Sequence, residues 1–287
     1  MQSVGYYNGV MGELENMTVP MNDRGMYFGD GVYDATYAAN GRIFEAEPHI
    51  DRFFNSAAAL RMPFFMTREE LRGELQKCVD ACDCDGELMV YWQITRGTAA
   101  RKHTFPENDQ PANLLITVRN VKLADLRKKL NLITVEDTRY LHCNIKTLNL
   151  IPNVMASQQA KEAGCDEVVF HRGDRVTECA HSNIHILKDG VFRTAPTDNF
   201  ILPGITRKHL LRICEETGVP YMEKAFTLDE LFDADEIIVS SAGTLGAGVA
   251  SVDGKPVGGK DPELLKKLQM AAVRDFEAET GYLPDII

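Results

Sequence analysis

The sequence predicts a mixed α/β protein in two domains, on three observations. Apolar and polar residues alternate at the start of the chain, stretches of helical period mix with later strands, and a charged stretch at 119–129 separates two halves. A length of 287 residues with 44% hydrophobic content is enough to bury a sizeable core, and such chains form one large domain or two. The domains are expected at 1–118 and 130–287, with 119–129 as the linker.

The elements follow in order. Asn8-Gly9 and Asn40-Gly41 are turn signals, so hairpin strands are expected at 4–19 and 33–45. Ile50, Phe53, Phe54, Ala57 and Leu60 recur near a period of 3.6, which predicts a helix over 47–60. Thr67-Arg68-Glu69-Glu70 is a capping-box start for a second helix to about 79. Strands are expected at 87–95 and 113–118, joined by a polar loop that carries Arg96, Arg101 and His103. The second half restarts with a strand at 130–135, a helix at 151–163, a strand at 167–171 and a hairpin around Lys188-Asp189-Gly190, without strict βαβ repetition. Leu202-Pro203-Gly204-Ile205-Thr206-Arg207 ends a strand-like run and opens a helix that continues to 216. The free N–H groups and positive end of such a helix attract a phosphate dianion, a Thr hydroxyl adds a donor, and Gly204 lets the backbone come close. Taken alone, the same segment reads better as a plain strand-to-helix turn.

Composition narrows the partners. Lys and Arg number 31 against 42 Asp and Glu, a net charge of -11, which opposes binding to nucleic acid or an anionic membrane and favours a small molecule. There is no apolar stretch of the roughly 18 residues that a membrane helix needs, and the N-terminus lacks the layout of a signal peptide, so a cytoplasmic location is expected. Seven cysteines, an odd number without paired short spacing, read as reduced thiols. Cys78, Cys82 and Cys84 cluster, but no nearby pair completes a tetrahedral zinc set, and no metal site is expected.

Several separated motifs agree with one another. They are Asp23-Arg24-Gly25 with Phe28-Gly29-Asp30-Gly31-Val32-Tyr33; His49-Ile50-Asp51-Arg52; Thr95-Arg96-Gly97; Asn144-Ile145-Lys146-Thr147-Leu148-Asn149; Val176-Thr177-Glu178; Ser182-Asn183; and the 202–207 segment. In this order and spacing the chain resembles the fold-type IV pyridoxal-phosphate enzymes, and among them the D-amino acid aminotransferases. The resemblance implies a smaller N-terminal α/β domain, a larger C-terminal pseudo-barrel α/β domain, and pyridoxal 5'-phosphate as cofactor.

It also implies roles for particular residues. Lys146 resembles the Schiff-base lysine, whose amine must be uncharged to attack an aldehyde or to act as a base. Glu178 resembles the carboxylate that keeps the cofactor's pyridine nitrogen protonated, so that the ring can accept electrons. A bare Thr-Glu pair is equally a strand-end charge, and the assignment rests on its position between Lys146 and the 202–207 segment. Arg52 resembles a phosphate ligand, offering a guanidinium fork. Ile205 and Thr206 would supply helix-terminal donors, and Leu202 would pack beneath the ring. Tyr33, Arg101 and His103 match the trap for the substrate carboxylate. In that family the Arg-x-His pair is lent by the neighbouring subunit, which implies a homodimer.

The chain departs from the family in Ser240-Ser241-Ala242-Gly243-Thr244-Leu245-Gly246-Ala247-Gly248. A hydroxyl residue that binds phosphate usually stands where Ala242 is, so Ser241 or backbone N–H groups would have to replace it. His181 occupies a position where a small residue is common. The implied reaction is a ping-pong transfer of an amino group from a D-amino acid to a 2-oxo acid such as 2-oxoglutarate or pyruvate. The rivals are an L-branched-chain aminotransferase, which the Arg101-x-His103 pair disfavours, an aminodeoxychorismate lyase, and a non-catalytic cofactor-binding protein.

Overall fold

The computed structural model describes residues 1–106 and 111–287, so Glu107 and Asn108 of the expected loop lie outside the described residues. The chain divides into two units that are not continuous in sequence. The first comprises Met1–Lys122, Ile145–Asn149 and Ala278–Tyr282, and the second comprises Leu123–Asn144, Leu150–Glu277 and Leu283–Ile287.

In the first unit, strands β1 (Ser3–Tyr7) and β2 (Val10–Glu13) form a hairpin about Asn8 and Gly9. The second strand ends at Glu13, short of the expected 19. A 3-10 turn at Leu14–Asn16 lets Met17 fold back on Gly5, where an added Cβ would meet Met17 Cγ at 2.5 Å. A short helix not expected from the sequence, α1 (Arg24–Phe28), follows; Asp23 caps it by accepting from Gly25 N at 2.7 Å, and Gly29 closes it at φ 59°. Then come β3 (Gly31–Ala39), β4 (Arg42–Ile43), α2 (Ala46–Ala59), α3 (Arg68–Asp80), β5 (Leu88–Thr95) and β6 (Asn113–Asn120). The capping box of α3 forms as the sequence predicts, with Thr67 and Glu70 exchanging hydrogen bonds.

The sheet order is β2-β1-β6-β5-β3-β4, antiparallel throughout. Its buried face packs on α2 and α3 through Ile50, Phe53, Leu71, Leu75, Trp92 and Ile94. Phe53 and Trp92 have no solvent exposure, and full burial of a side chain this large contributes about 1.5–3 kcal/mol.

The second unit contains β7 (Leu130–Glu136), α4 (Ile151–Glu162), β8 (Glu167–Arg172), β9 (Arg175–Cys179), β10 (Asn183–Lys188), β11 (Val191–Thr194) and α5 (Ile205–Thr217). It continues with β12 (Tyr221–Glu223), α6 (Leu228–Phe232), β13 (Glu236–Ser240), β14 (Ala247–Val252), β15 (Lys255–Pro256) and α7 (Pro262–Thr280), the last turn of which belongs to the first unit. The strands run in the order β12-β11-β10-β13-β14-β7-β8-β9, with β15 paired to β14, and β7 lies parallel to both of its neighbours. The sheet curls, and β9 at one edge turns straight back into β10, where Cys179 N–H donates to Ser182 O at 2.8 Å. This is the expected pseudo-barrel.

The strand-like run before Gly204 forms no strand. Asp198 accepts from Phe200 N at 2.9 Å in a local turn, and Pro196 and Pro203 flank it without N–H groups to offer a ladder. Helix α7 was not anticipated, although Leu265, Leu268, Ala272, Val273 and Phe276 recur at helical spacing and are all buried. Among the described residues no helix is long and apolar enough to cross a membrane.

Candidate active site

In the first unit, the segment 145–149 lies along β3 and α2. Tyr33 N–H donates to Lys146 O at 3.0 Å, Val32 bridges to Thr147, and Lys146 N–H donates to Ser56 Oγ of α2 at 3.2 Å. These bonds fix the lysine backbone and set its Nζ 4.3 Å from the centre of the Tyr33 ring. Tyr33 stacks in turn on Tyr91 at 5.5 Å, so a tyrosine-lined wall flanks the amine.

Arg52 lies nearby on α2, buried, with Nε 2.8 Å and Nη2 2.6 Å from the two carboxylate oxygens of Asp34. His49 Nδ1 is 2.7 Å from Asp34 as well. Burial opposes ionisation of Asp34, but Arg52 and His49 outweigh it and hold the carboxyl well below its usual range. Burial pushes His49 below the ordinary histidine value, an effect that Asp34 partly offsets. The cluster orients Arg52 rigidly, and its acid member was missed from the sequence. The signal was present: Asp34 alternates with Val32 and Thr36, both fully buried, and a charge at such a position needs a partner.

Arg101 and His103 occupy the exposed loop after β5, and both rest on Phe28 of α1. The Arg101 guanidinium lies 5.3 Å and the His103 ring 5.2 Å from the centre of the Phe28 ring. Neither side chain has a hydrogen-bond or salt-bridge partner among the described residues, so their donors are available to an anion. The loop is therefore a candidate carboxylate trap in geometry as well as in composition.

In the second unit, Glu178 on β9 is buried and surrounded by donors. Oε1 accepts from Arg139 Nη1 at 2.5 Å, while Oε2 accepts from Asn183 Nδ2 at 3.0 Å and from Leu202 N–H at 2.9 Å. Arg139 is braced by Asp137, whose carboxyl is disfavoured by burial yet held below its usual range by Arg139 and Arg172. The Asp137-Thr138-Arg139 support has no signature in the sequence. A carboxylate locked in this way can pair with a protonated heterocyclic nitrogen.

Asn183 joins this carboxylate to the start of α5. Its Nδ2 also donates to Leu202 O at 3.1 Å, and an added Cβ on Gly204 would meet Asn183 Oδ1 at 2.0 Å. That approach requires glycine at 204. Helix α5 has no side-chain cap, so the N–H groups of Ile205 and Thr206 point outward. The Thr206 hydroxyl, in a residue only 7% exposed, has no hydrogen-bond partner among the described residues. The donor set fits a phosphate.

Pairing of Asn183 with Ser240 brings the 241–246 loop to the same end of the sheet. Ser241 Oγ is 3.0 Å from Thr244 Oγ1, which also accepts from Ser241 N–H at 2.8 Å. Ser241 thus has one loop contact through its hydroxyl, and the Ala242 N–H has no partner among the described residues and remains a backbone donor. His181 sits at the β9–β10 turn with Nε2 3.0 Å from buried Glu167 and Nδ1 3.1 Å from Ser182 Oγ.

The first unit contains a fixed lysine, and the second a braced carboxylate and a helix-terminal anion cradle. Residues 31–252 match the amino-transferase class IV model, and the chain belongs to that family. It is 38% identical over 278 residues to D-alanine aminotransferase of Bacillus licheniformis, covering 96% of this chain and 98% of that protein. It is 39% identical over 278 residues, with the same coverage, to D-alanine aminotransferase of Staphylococcus aureus strain MSSA476. Among solved structures, the branched-chain aminotransferase of Thermoproteus uzoniensis superposes with a TM-score of 0.86 at 23% identity, covering 98% of this chain and 97% of that one. That likeness bears on the fold alone. The chain is an aminotransferase of the fold-type IV architecture.

Proposed function

We propose that this chain transfers the amino group of a D-amino acid, of the D-alanine or D-glutamate type, to a 2-oxo acid, with pyridoxal 5'-phosphate held on Lys146. The observation that carries the reading is the pair Arg101 and His103, both on Phe28 and without hydrogen-bond partners among the described residues. The high identity to two D-alanine aminotransferases over nearly the whole chain supports it.

When bound, pyridoxal phosphate supplies a carbonyl carbon to receive the amino group and a ring that withdraws electrons from the substrate Cα. Lys146 would hold it covalently and, once its amine is released by the incoming substrate amine, would move a proton between the substrate Cα and the former carbonyl carbon. Glu178, held by Arg139 and Asn183, keeps the ring nitrogen protonated. The Ile205 and Thr206 N–H groups, the Thr206 hydroxyl and the Ala242 N–H would hold the phosphate, and Leu202 would support the ring. In this reading Arg52, its orientation set by Asp34, and Ser241 would add further phosphate donors. Tyr33, Arg101 and His103 bind the substrate carboxylate.

Arg101 and His103 act in the pocket of a second copy, so the working unit is a homodimer. The exposed apolar stripe Ile151, Val154 and Met155 on α4 supports association, since such residues at helical spacing seek cover. Residues 119–129 serve as the linker, and the acidic enzyme works in the cytoplasm.

Replacing Lys146 by alanine tests the assignment directly. Formation of pyruvate from D-alanine and 2-oxoglutarate should disappear, and turnover retained at the parent rate would overturn it.

A further inference from the structure

We propose that Arg24 is a positioning residue for the substrate-carboxylate trap, acting through the Lys102 carbonyl and the Phe28 ring on Arg101 and His103. The proposal rests on the reading of those two residues given above. Arg24 does not bind substrate; it is only 3% exposed and faces the loop from α1.

The guanidinium of Arg24 makes three contacts at once. Nη1 donates to Lys102 O at 2.7 Å, Nε donates to Asp30 Oδ2 at 2.8 Å, and the group lies 5.0 Å from the centre of the Phe28 ring. Lys102 is the residue between Arg101 and His103, so its carbonyl is the one point from which both neighbours can be held together. The same Phe28 ring carries Arg101 at 5.3 Å and His103 at 5.2 Å. Three cationic or ionisable groups therefore converge on one aromatic ring, an arrangement that ring electrostatics favour.

The base of the loop is secured by the residues around Arg24. Arg24 N–H donates to Gly97 O at 3.0 Å, Ala99 N–H donates to Asn22 O at 3.1 Å, and Asp23 bridges to Thr98. An exposed loop that carries two such side chains would otherwise lose much of its binding energy in being ordered around a small carboxylate. Pre-ordering removes that cost before the substrate arrives. A lysine at 24 lacks the planar fork that spans a carboxylate and a carbonyl together.

Substitution of Arg24 does not leave a buried charge unpaired, because Arg96 Nε donates to both Asp30 oxygens at 3.1 and 3.0 Å. The fold should therefore tolerate Arg24→Gln and Arg24→Lys. Phe28→Leu offers a second route, removing the ring while keeping every ion pair.

The test is a double-mutant cycle on the holoenzyme with D-alanine and 2-oxoglutarate as substrates. Arg24→Gln, Arg24→Lys and Phe28→Leu should each raise the KM for D-alanine about tenfold, the equivalent of one charge-assisted hydrogen bond, with a smaller change in kcat and an unshifted cofactor absorbance band. In an Arg101→Ala background the same substitutions should raise KM by less than about twofold, since their effect runs through the loop. An unchanged KM in all three variants, or an equal rise with and without Arg101, would overturn the proposal. If Arg101→Ala alone leaves KM unchanged for D- and L-amino acids, the reading of the trap has failed, and the proposal fails with it.

Discussion

Replacing Gly204 with alanine should loosen the start of α5 and the Glu178 carboxylate together. The backbone at 204 is extended (φ -63°), so alanine suffers no strain of its own; the damage comes from its Cβ, 2.0 Å from Asn183 Oδ1. The Asn183 amide must move, losing its bond to the Glu178 carboxylate at 3.0 Å and its bond to Leu202 O at 3.1 Å. A hydrogen bond to a charged group is worth about 1.5–3 kcal/mol and a neutral one about 0.5–1.5, so the loss is about 2–4 kcal/mol. For a chain of 287 residues, with an unfolding entropy of about 0.6 kcal/mol/K, that corresponds to a fall in Tm of roughly 3–7 °C. Thermal unfolding of the purified protein and a cofactor titration would measure both effects. Because the clash needs the Asn183 side chain, the Gly204→Ala/Asn183→Ala double variant should be less destabilised than the two single losses predict. A Gly204→Ala protein that melts within about 1 °C of the parent, or strictly additive losses, would refute the reasoning.

Other expectations follow from the same geometry. Glu178→Gln sets an amide against the donors of Arg139, Asn183 and Leu202; it should cost about 3 kcal/mol of stability, since Arg139 keeps Asp137, and should depress turnover far more than it raises KM. His185, wholly buried between Thr194 and Ser240 and beside Arg207, is pushed down to about 3 from an ordinary value of 6.5. The unfolded chain then binds the extra proton first, so this contribution to stability is complete above pH 6.5 and is lost as pH falls towards 3. At pH 5 the loss is about 2 kcal/mol, and denaturant unfolding of His185→Gln should show a flatter pH dependence between 7 and 5 than the parent. Thr67→Ala, which removes the α3 capping box, should cost about 1 kcal/mol in the same assay without changing KM.

The fold was legible wherever local rules decide it. The α3 start was readable because Thr67 and Glu70 satisfy each other's backbone within four residues. Helix α2 was readable because Ile50, Phe53 and Ala57 share one buried face. Helix α1 was not, since five residues show no period and its stability comes from the Asp23 cap and the Arg24 contacts. Long-range partners were also hidden. Asp34 meets Arg52 across 18 residues and Glu178 meets Arg139 across 39, separations that no periodicity encodes. The loop bond between Ser241 Oγ and Thr244 Oγ1, three residues on, was likewise not encoded in any periodicity. Lys146, Arg101 and His103 stood out only through the family resemblance of their motifs, while the contacts made to them or their neighbours by Ser56, Phe28 and Arg24 carried no sequence signal.

The most direct test of the central claim is an absorbance titration of the cofactor-loaded protein with D-alanine, D-glutamate and their L-forms. The account predicts that only the D-forms bleach the visible band of the bound cofactor, and that a 2-oxo acid restores it. Bleaching by the L-forms alone would contradict the use of Arg101 and His103 as the carboxylate trap and favour an L-branched-chain activity.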